Sequence, residues 1–195
     1  MHPLLEGQLV ILEEVQPKYF SDIIKWRNNT MNNKYLNQPF LLTMELQKKW
    51  YENVYLNDSS QGLYVMIDKD TSNPFGHIGW TDYDRFLKRC VAGRLLVGDC
   101  AYRGSKQWIE AAAVFNQYVY EQLFVDTMYA HIALNNIPSI RWHLKWGYEE
   151  NSDFVFPNEK CVNGIVQKEF KRSYGDYKEN LKFNMNNIYL KDVKK

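Results

Sequence analysis

Residues 101–120, AYRGSKQWIEAAAVFNQYVY, join a short turn carrying Arg103, Gly104 and Lys106 to a run of helical periodicity. The first amides of a helix lack intrahelical acceptors, and the helix dipole places about half a positive charge at that end. A turn of this kind is therefore a seat for a phosphate. Arg103 and Lys106 add two cations beside the same point, and Gly104 lets a ligand approach the main chain closely. An ordinary solvated loop before a helix has the same appearance, because RGxK is short.

For the turn to act, a strand must deliver it and a helix must carry it away. VAGRLLVGD (91–99) supplies the strand. From Ser105 onward Ile109, Ala112, Ala113, Asn116, Val119, Tyr120 and Leu123 share one face, with Glu110, Gln117 and Glu121 elsewhere, which predicts a helix packed on a sheet. Upstream, QLVILEEV (8–15) reads as a strand. A helix follows Pro17 with Phe20, Ile23, Ile24 and Arg27 in register, and Thr43 caps a second helix through LQKKWYENVYL. LYVMI (63–67) and HIGWTDY (77–83) form a hairpin across DKDTSNPFG. Downstream, VDTMYAHIAL (125–134) is a strand, NNIPSIRWHLKWG a short helix ending at Gly147, and further strands are expected near 148–156 and 162–171. Strands and helices mixed in this way predict one α/β domain with a central mixed sheet flanked by helices.

With 195 residues, 45% of them hydrophobic, the chain suits one domain. Lys plus Arg total 24 against 23 for Asp plus Glu, a net charge of +1, so no global field recruits nucleic acid or an anionic membrane. Cys90, Cys100 and Cys161 are odd in number and lack metal-ligand spacing, which points to small buried thiols in a reducing compartment and to no metal. No run approaches the length needed to cross a bilayer, so a soluble, cytoplasmic protein is expected. The domain is expected over 1–175. The extension 176–195 carries spaced Leu181, Phe183, Met185, Ile188 and Leu190, able to pack on the domain or on a second copy as a homodimer.

The stretch from Arg94 to Tyr148 resembles the core of the GCN5-related N-acetyltransferases (GNAT), nearest to the RimJ/RimL-like and amino-sugar-nucleotide branches. The likeness rests on the strand, the glycine turn and helix, the following strand, and then Asn136-Ile137-Pro138-Ser139 leading to Gly147-Tyr148. The resemblance implies that the strands near 91–98 and 125–134 run parallel and splay to form an acyl-CoA cleft, with acetyl-CoA as cosubstrate. The main chain of Leu95 and Val97 would meet the pantetheine. Arg103, Gly104, Ser105, Lys106 and Trp108 would meet the pyrophosphate, and Asn136 and Ser139 would lie near the arm. Lys106 and Trp108 stand where the family has further glycines, so the Trp108 ring either crowds the phosphate seat or packs aside.

Transfer of the acetyl group to a primary amine needs a base for the ammonium proton, a donor to the thioester carbonyl, and an acid for the departing thiolate. A main-chain amide near Val97 is the expected donor. His143 stands where the family usually has a tyrosine, and lies four residues after Ser139, on the same helix face. It is the expected acid, with packing between Trp142 and Trp146 as the alternative. His77 is the candidate base, with Asp82 and Tyr83 beside it on the same strand. For the acceptor, Trp26-Arg27-Asn28 at a helix end resembles a feature of the sugar-nucleotide branch that is also met in the RimJ/RimL-like branch: for a sugar nucleotide, Arg27 would pair with a diphosphate, and Trp26, Trp80 or Tyr83 would offer a stacking face. The expected activity is acetylation of a small-molecule amine, a nucleotide-linked amino sugar. A protein N-terminal acetyltransferase and an inactive GNAT-shaped binding module are the alternatives.

Overall fold

The computed structural model describes residues 2–36, 38, 40–154, 161, 162 and 165–189, with 161, 162, 165 and 182–189 described by backbone alone. Its elements run β1 (Leu5–Glu6), β2 (Val10–Glu14), α1 (Phe20–Asn28), α2 (Thr30–Asn33), α3 (Met44–Trp50), β3 (Gly62–Asp68), β4 (Pro74–Asp84) and β5 (Arg89–Val97). The second half has α4 (Lys106–Glu121), β6 (Thr127–Ala133), α5 (Ile137–Lys145), β7 (Glu149–Glu150), β8 (Cys161–Val162), β9 (Ile165–Ser173) and α6 (Tyr174–Tyr189). Side-chain oxygens of Asn29, Thr43, Ser105 and Asn136 accept first-turn amides of α2, α3, α4 and α5, which fixes where each helix begins. A π-helical turn, Tyr51–Tyr55, continues α3.

One mixed sheet has the order β1-β2-β3-β4-β5-β6-β9-β7, with β8 paired to β9. β5 and β6 form its parallel pair. Period-2 alternation sends successive side chains to opposite faces. Tyr64 and Met66 of β3 join Phe75, Trp80, Met128 and Phe170 beneath α4, together with Trp146 and Tyr177. Leu63, Val65 and Leu96 face the other way and meet Phe20, Ile23 and Trp26 of α1. The two cores clamp the sheet from both sides, as expected for the α/β class.

Four details depart from the sequence expectations. Glu110, expected on the outward face of α4, is buried and accepts the main-chain amides of Gln8 (3.1 Å), Leu9 (2.7 Å) and Val10 (3.1 Å). The N-terminal hairpin covers that flank of α4, and its amides need an acceptor. Cys100 is exposed because it lies in a surface 3-10 turn, whereas Cys90 is buried as expected; the side chain of Cys161 lies outside the described residues. Of the strand expected near 148–156, Glu149–Glu150 pairs with β9, and 155–156 lie outside the described residues. Residues 176–189 of the expected extension continue α6, 190–195 lie outside the described residues, and Tyr177 is buried and donates its hydroxyl to Ala113 O at 3.1 Å. Among the described residues, no helix is long and apolar enough to cross a membrane.

Candidate active site

At the end of β5 the amides of Gly98 and Asp99 both donate to Phe75 O, at 2.8 and 3.0 Å. Gly98 is required there: a Cβ would sit 2.1 Å from the Trp26 ring. Asp99 accepts from Ala101 N and starts the 3-10 turn Cys100–Tyr102. Tyr102 stacks on Phe75 at 4.4 Å and donates its hydroxyl to Asp68 at 2.8 Å, so the turn is anchored from beneath. Gly104 then takes φ +74°, a conformation side-chain-bearing residues rarely adopt, with open space where a Cβ would point. Ser105 caps α4 by accepting Trp108 N at 3.1 Å. The Trp108 ring is buried and packs on Trp142 at 4.7 Å, so it faces α5 and not the turn. Both Ser105 and Trp108 thus build the seat, while Arg103 is exposed beside it and donates to Asn32 of α2. The geometry suits an anion resting on main-chain amides at the start of α4.

β5 and β6 pair at Arg89/Thr127, Cys90/Met128 and Val91/Tyr129, and then part. β6 stays paired to β9 up to Ala133, while β5 bends toward β4. Arg94 causes the bend: it has φ +50° and sits in a bulge where β5 carries one more residue than β4 between Gly79/Gly93 and His77/Leu96. The stretch holding Leu95 and Val97 therefore borders a gap whose other wall is β6 and the start of α5. Asn136 accepts Ser139 N at 3.3 Å and sets the direction of α5 on that wall.

His77 is buried, and its Nδ1–H donates to Arg94 O, pinning the bulge. Burial, with Arg27 nearby, pushes its pKa down to about 3. A ring held neutral and enclosed in this way is a strut for the strand, not an accessible base. His143 is also buried and donates Nδ1–H to Ser139 O at 2.8 Å, with its ring edge-on to Tyr148. Burial pushes it down to about 4, so at neutral pH it carries no proton acidic enough for the thiolate. The sequence placed it on the correct face, but not at the depth it occupies.

Trp26 and Trp80 are both buried, on opposite faces of the sheet, and neither offers a free ring for stacking. Trp26 is taken by Gly98, and Trp80 by Tyr64, Phe115 and Tyr118. Tyr83 donates its hydroxyl to Leu123 O at 2.8 Å while its ring borders a cavity. Arg27 is half-buried, with Nε donating to Gln38 Oε1 at 2.7 Å, and its pKa is lowered by burial and by Arg94. Arg94 stacks over Trp50 at 5.1 Å, and its Nη1 is buried without a hydrogen-bond partner among the described residues.

The cavity measures about 1110 Å³ and lies beside the paired end of β5 and β6; Arg89, Cys90 and Val91 of β5, Tyr129 and His131 of β6, Asp82 and Tyr83 of β4 and Phe86 of the following turn line it. Glu169 and Asn151 complete the far side. Arg94, His131, Glu169 and Asn151 were not singled out from sequence. Strand alternation was the available signal for His131: Met128, Ala130 and Ile132 point to the α4 core, so Tyr129 and His131 must face the other way. Among the described residues, no group of His, Cys, Asp or Glu is arranged to hold a metal.

A family model described as an acetyltransferase (GNAT) domain matches residues 10–149. Sequence comparison with curated proteins returned no match. Among solved structures, the chain is similar to apo FdhC, a nucleotide-linked sugar GNAT, with TM-score 0.72 and 17% identity over 92% of this chain and 95% of that one. It is similar to the spermidine N-acetyltransferase of Vibrio cholerae solved with CoA and spermine, with TM-score 0.73 and 15% identity over 88% and 99%. A GCN5-related N-acetyltransferase from Brucella melitensis gives TM-score 0.75 and 16% identity over 92% and 82%. With a family model over more than half its length, the chain belongs to the GNAT family of acyl-CoA-dependent N-acetyltransferases.

Proposed function

We propose that the acceptor is a primary amine on a nucleotide-linked amino sugar. The observation that carries this reading is the pairing of Arg27 with Arg94. Both guanidiniums are half-buried, which lowers the pKa of each; Arg94 adds to the lowering at Arg27, Asp58 and Asp82 act to raise that of Arg94, and neither arginine has a carboxylate in salt-bridge contact among the described residues. Two half-buried cations, with Asp58 and Asp82 acting on Arg94 without forming a salt bridge, still favour an anionic ligand group, and a diphosphate matches the fork geometry of a guanidinium. A polyamine would meet repulsion at the same place. Gln38 aims Arg27, and Trp50 supports Arg94 from one side. The stacking roles expected for Trp26 and Trp80 pass to rings that line the cavity, including Phe86, which is 96% exposed.

Acetyl-CoA fits the opposite end of the gap. Its pyrophosphate would rest on the amides from Gly104 into the first turn of α4, with Arg103 and Lys106 as electrostatic support. From Val97 back to Ala92 the edge of β5 not paired to β6 spans six residues, roughly 20 Å of extended chain, comparable to a pantetheine arm. The thioester then reaches the apex of the splay, beside the cavity. Placement of amine and thioester in one enclosed space supplies much of the rate, since the thioester is already activated. The amine nitrogen attacks the carbonyl, the C–N bond forms, the C–S bond breaks, and CoA leaves as the thiol once its sulfur takes up a proton.

The test is a panel assay of the full chain with acetyl-CoA, following release of free thiol. The acceptors are a dTDP-linked amino-deoxyhexose, spermidine, and a short peptide with a free N-terminus. The sugar nucleotide should exceed both others by at least about a hundredfold in kcat/KM, the scale on which a site built for an ionic group rejects ligands lacking it. Preference for spermidine or for the peptide would overturn the acceptor assignment.

A further inference from the structure

We propose that His131 is the base that takes the proton from the acceptor amine, and that Glu169 is its positioning residue; the assignment rests on the acetyl-transfer reading of the cavity. His131 lies on β6 two residues beyond Tyr129, the last position at which β6 pairs with β5, so it stands on the wall of the splay near its apex. It lines the cavity along with Tyr129, Asn151 and Glu169. Its Nε2 meets Glu169 Oε2 at 2.9 Å across the β6–β9 register, in which the two residues are direct partners. Glu169 is itself buried and receives Asn151 Nδ2 on its other oxygen at 2.7 Å. One carboxylate is thus held by two side chains from two elements, and it fixes both the rotation and the tautomer of the imidazole.

With Nε2–H donated to Glu169, the lone pair is on Nδ1. That nitrogen accepts one proton from the acceptor ammonium, and the neutral amine then attacks the thioester carbonyl. The imidazolium formed is stabilised by the carboxylate beside it. As the tetrahedral centre collapses, the C–S bond breaks and the second N–H proton is lost to the thiolate, giving amide and thiol. The imidazolium returns its proton to solvent and the site is reset. His77 and His143 are enclosed and hydrogen-bonded to main-chain carbonyls, whereas His131 combines cavity access with a carboxylate partner. Among the described residues, the charged groups lining this cavity are Asp82, Asp84 and Arg85 from the β4–β5 hairpin, Arg89 from β5 and Glu169 from β9, with Tyr83, Cys90 and Tyr129 as further titratable groups.

The experiment has two arms on the full chain. In the first, the histidine ring signals are followed by NMR from pH 5 to 9 in wild type, His131→Gln and Glu169→Gln, the first variant identifying the signal. The His131 ring should titrate inside this range, and its midpoint should fall in Glu169→Gln, because the carboxylate favours the charged ring. No titration in the range, or an unmoved midpoint, overturns the assignment. In the second arm, kcat/KM is measured against pH with whichever amine of the panel is turned over, and acetyl-CoA binding is measured by calorimetry. His131→Gln should lose about a hundredfold or more in kcat/KM and the acidic limb of the profile, while binding acetyl-CoA as wild type does. Glu169→Gln should keep that limb but shift it to lower pH. Retained turnover in His131→Gln overturns the base. If no amine on the panel reacts, the acceptor reading falls, and the NMR arm still decides the state of His131.

Discussion

His143 and His77 show how depth decides what a side chain can do. Both are shielded from solvent, and both spend Nδ1–H on a main-chain carbonyl, of Ser139 and Arg94 respectively. In the unfolded chain each takes up a proton below about pH 6.5, whereas burial holds the folded values near 4 and 3. The unfolded chain therefore binds more protons as pH falls, and each histidine costs about 1.4 kcal/mol of stability per pH unit below 6.5, until its folded pKa is reached. Urea midpoints should drop steeply from pH 6.5 toward 4, and less steeply in His143→Phe. The same variant should keep near-wild-type turnover at pH 7.5, in contrast to His131→Gln. A fall of a hundredfold or more would return the acid role to His143. Spacing in the sequence identifies the helix face that carries His143, but not that Tyr148 and Ser139 close over it. His131 escaped notice for the opposite reason: one histidine in an alternating strand looks ordinary until Glu169, 38 residues away, is seen beside it.

The strand, turn and helix from Arg89 to Glu121 were legible because each part has a local cause. β-branched and apolar residues build β5, Gly104 takes the left-handed conformation, and Ser105 caps α4. The divergence of β5 from β6 was expected only through family resemblance. Its physical origin, the bulge at Arg94 held by His77, depends on pairing between strands and has no signature in either strand alone. Glu110 has the same character. Its helix periodicity is correct, yet three amides from residues about a hundred positions earlier determine its environment. Glu110→Ala strands those amides in a covered site and should destabilise the domain by roughly 2–4 kcal/mol, with Glu110→Gln costing less because one acceptor oxygen remains. Thermal or urea unfolding reads this directly. Equal stability of all three proteins would show that the hairpin does not depend on the carboxylate.

At the scale of the whole molecule, polar contacts tie the turn before α4 to the helices on the other face of the sheet. Arg103 donates to Asn32, which also donates to Trp26 O at 3.0 Å and Gly98 O at 3.2 Å, so α1, α2 and the turn before α4 share one polar junction. At the far edge, Arg172 is buried among Tyr120, Tyr148 and Tyr177 and donates to Trp146 O at 2.9 Å, binding α4, α5 and α6 to β9. The tyrosine of the Gly147-Tyr148 pair was legible as a family mark, whereas the arginine it packs against was not. We propose that acetyl-CoA is held by main-chain amides at the start of α4 with Arg103 and Lys106 beside them. Calorimetric titration of acetyl-CoA into wild type and into Arg103→Ala with Lys106→Ala tests it most directly. Saturable binding in wild type, weakened tenfold or more in the double variant, is the predicted result, since each charge-assisted contact contributes about 1.5–3 kcal/mol at best. No binding to wild type, or equal affinity in the two proteins, would contradict the account.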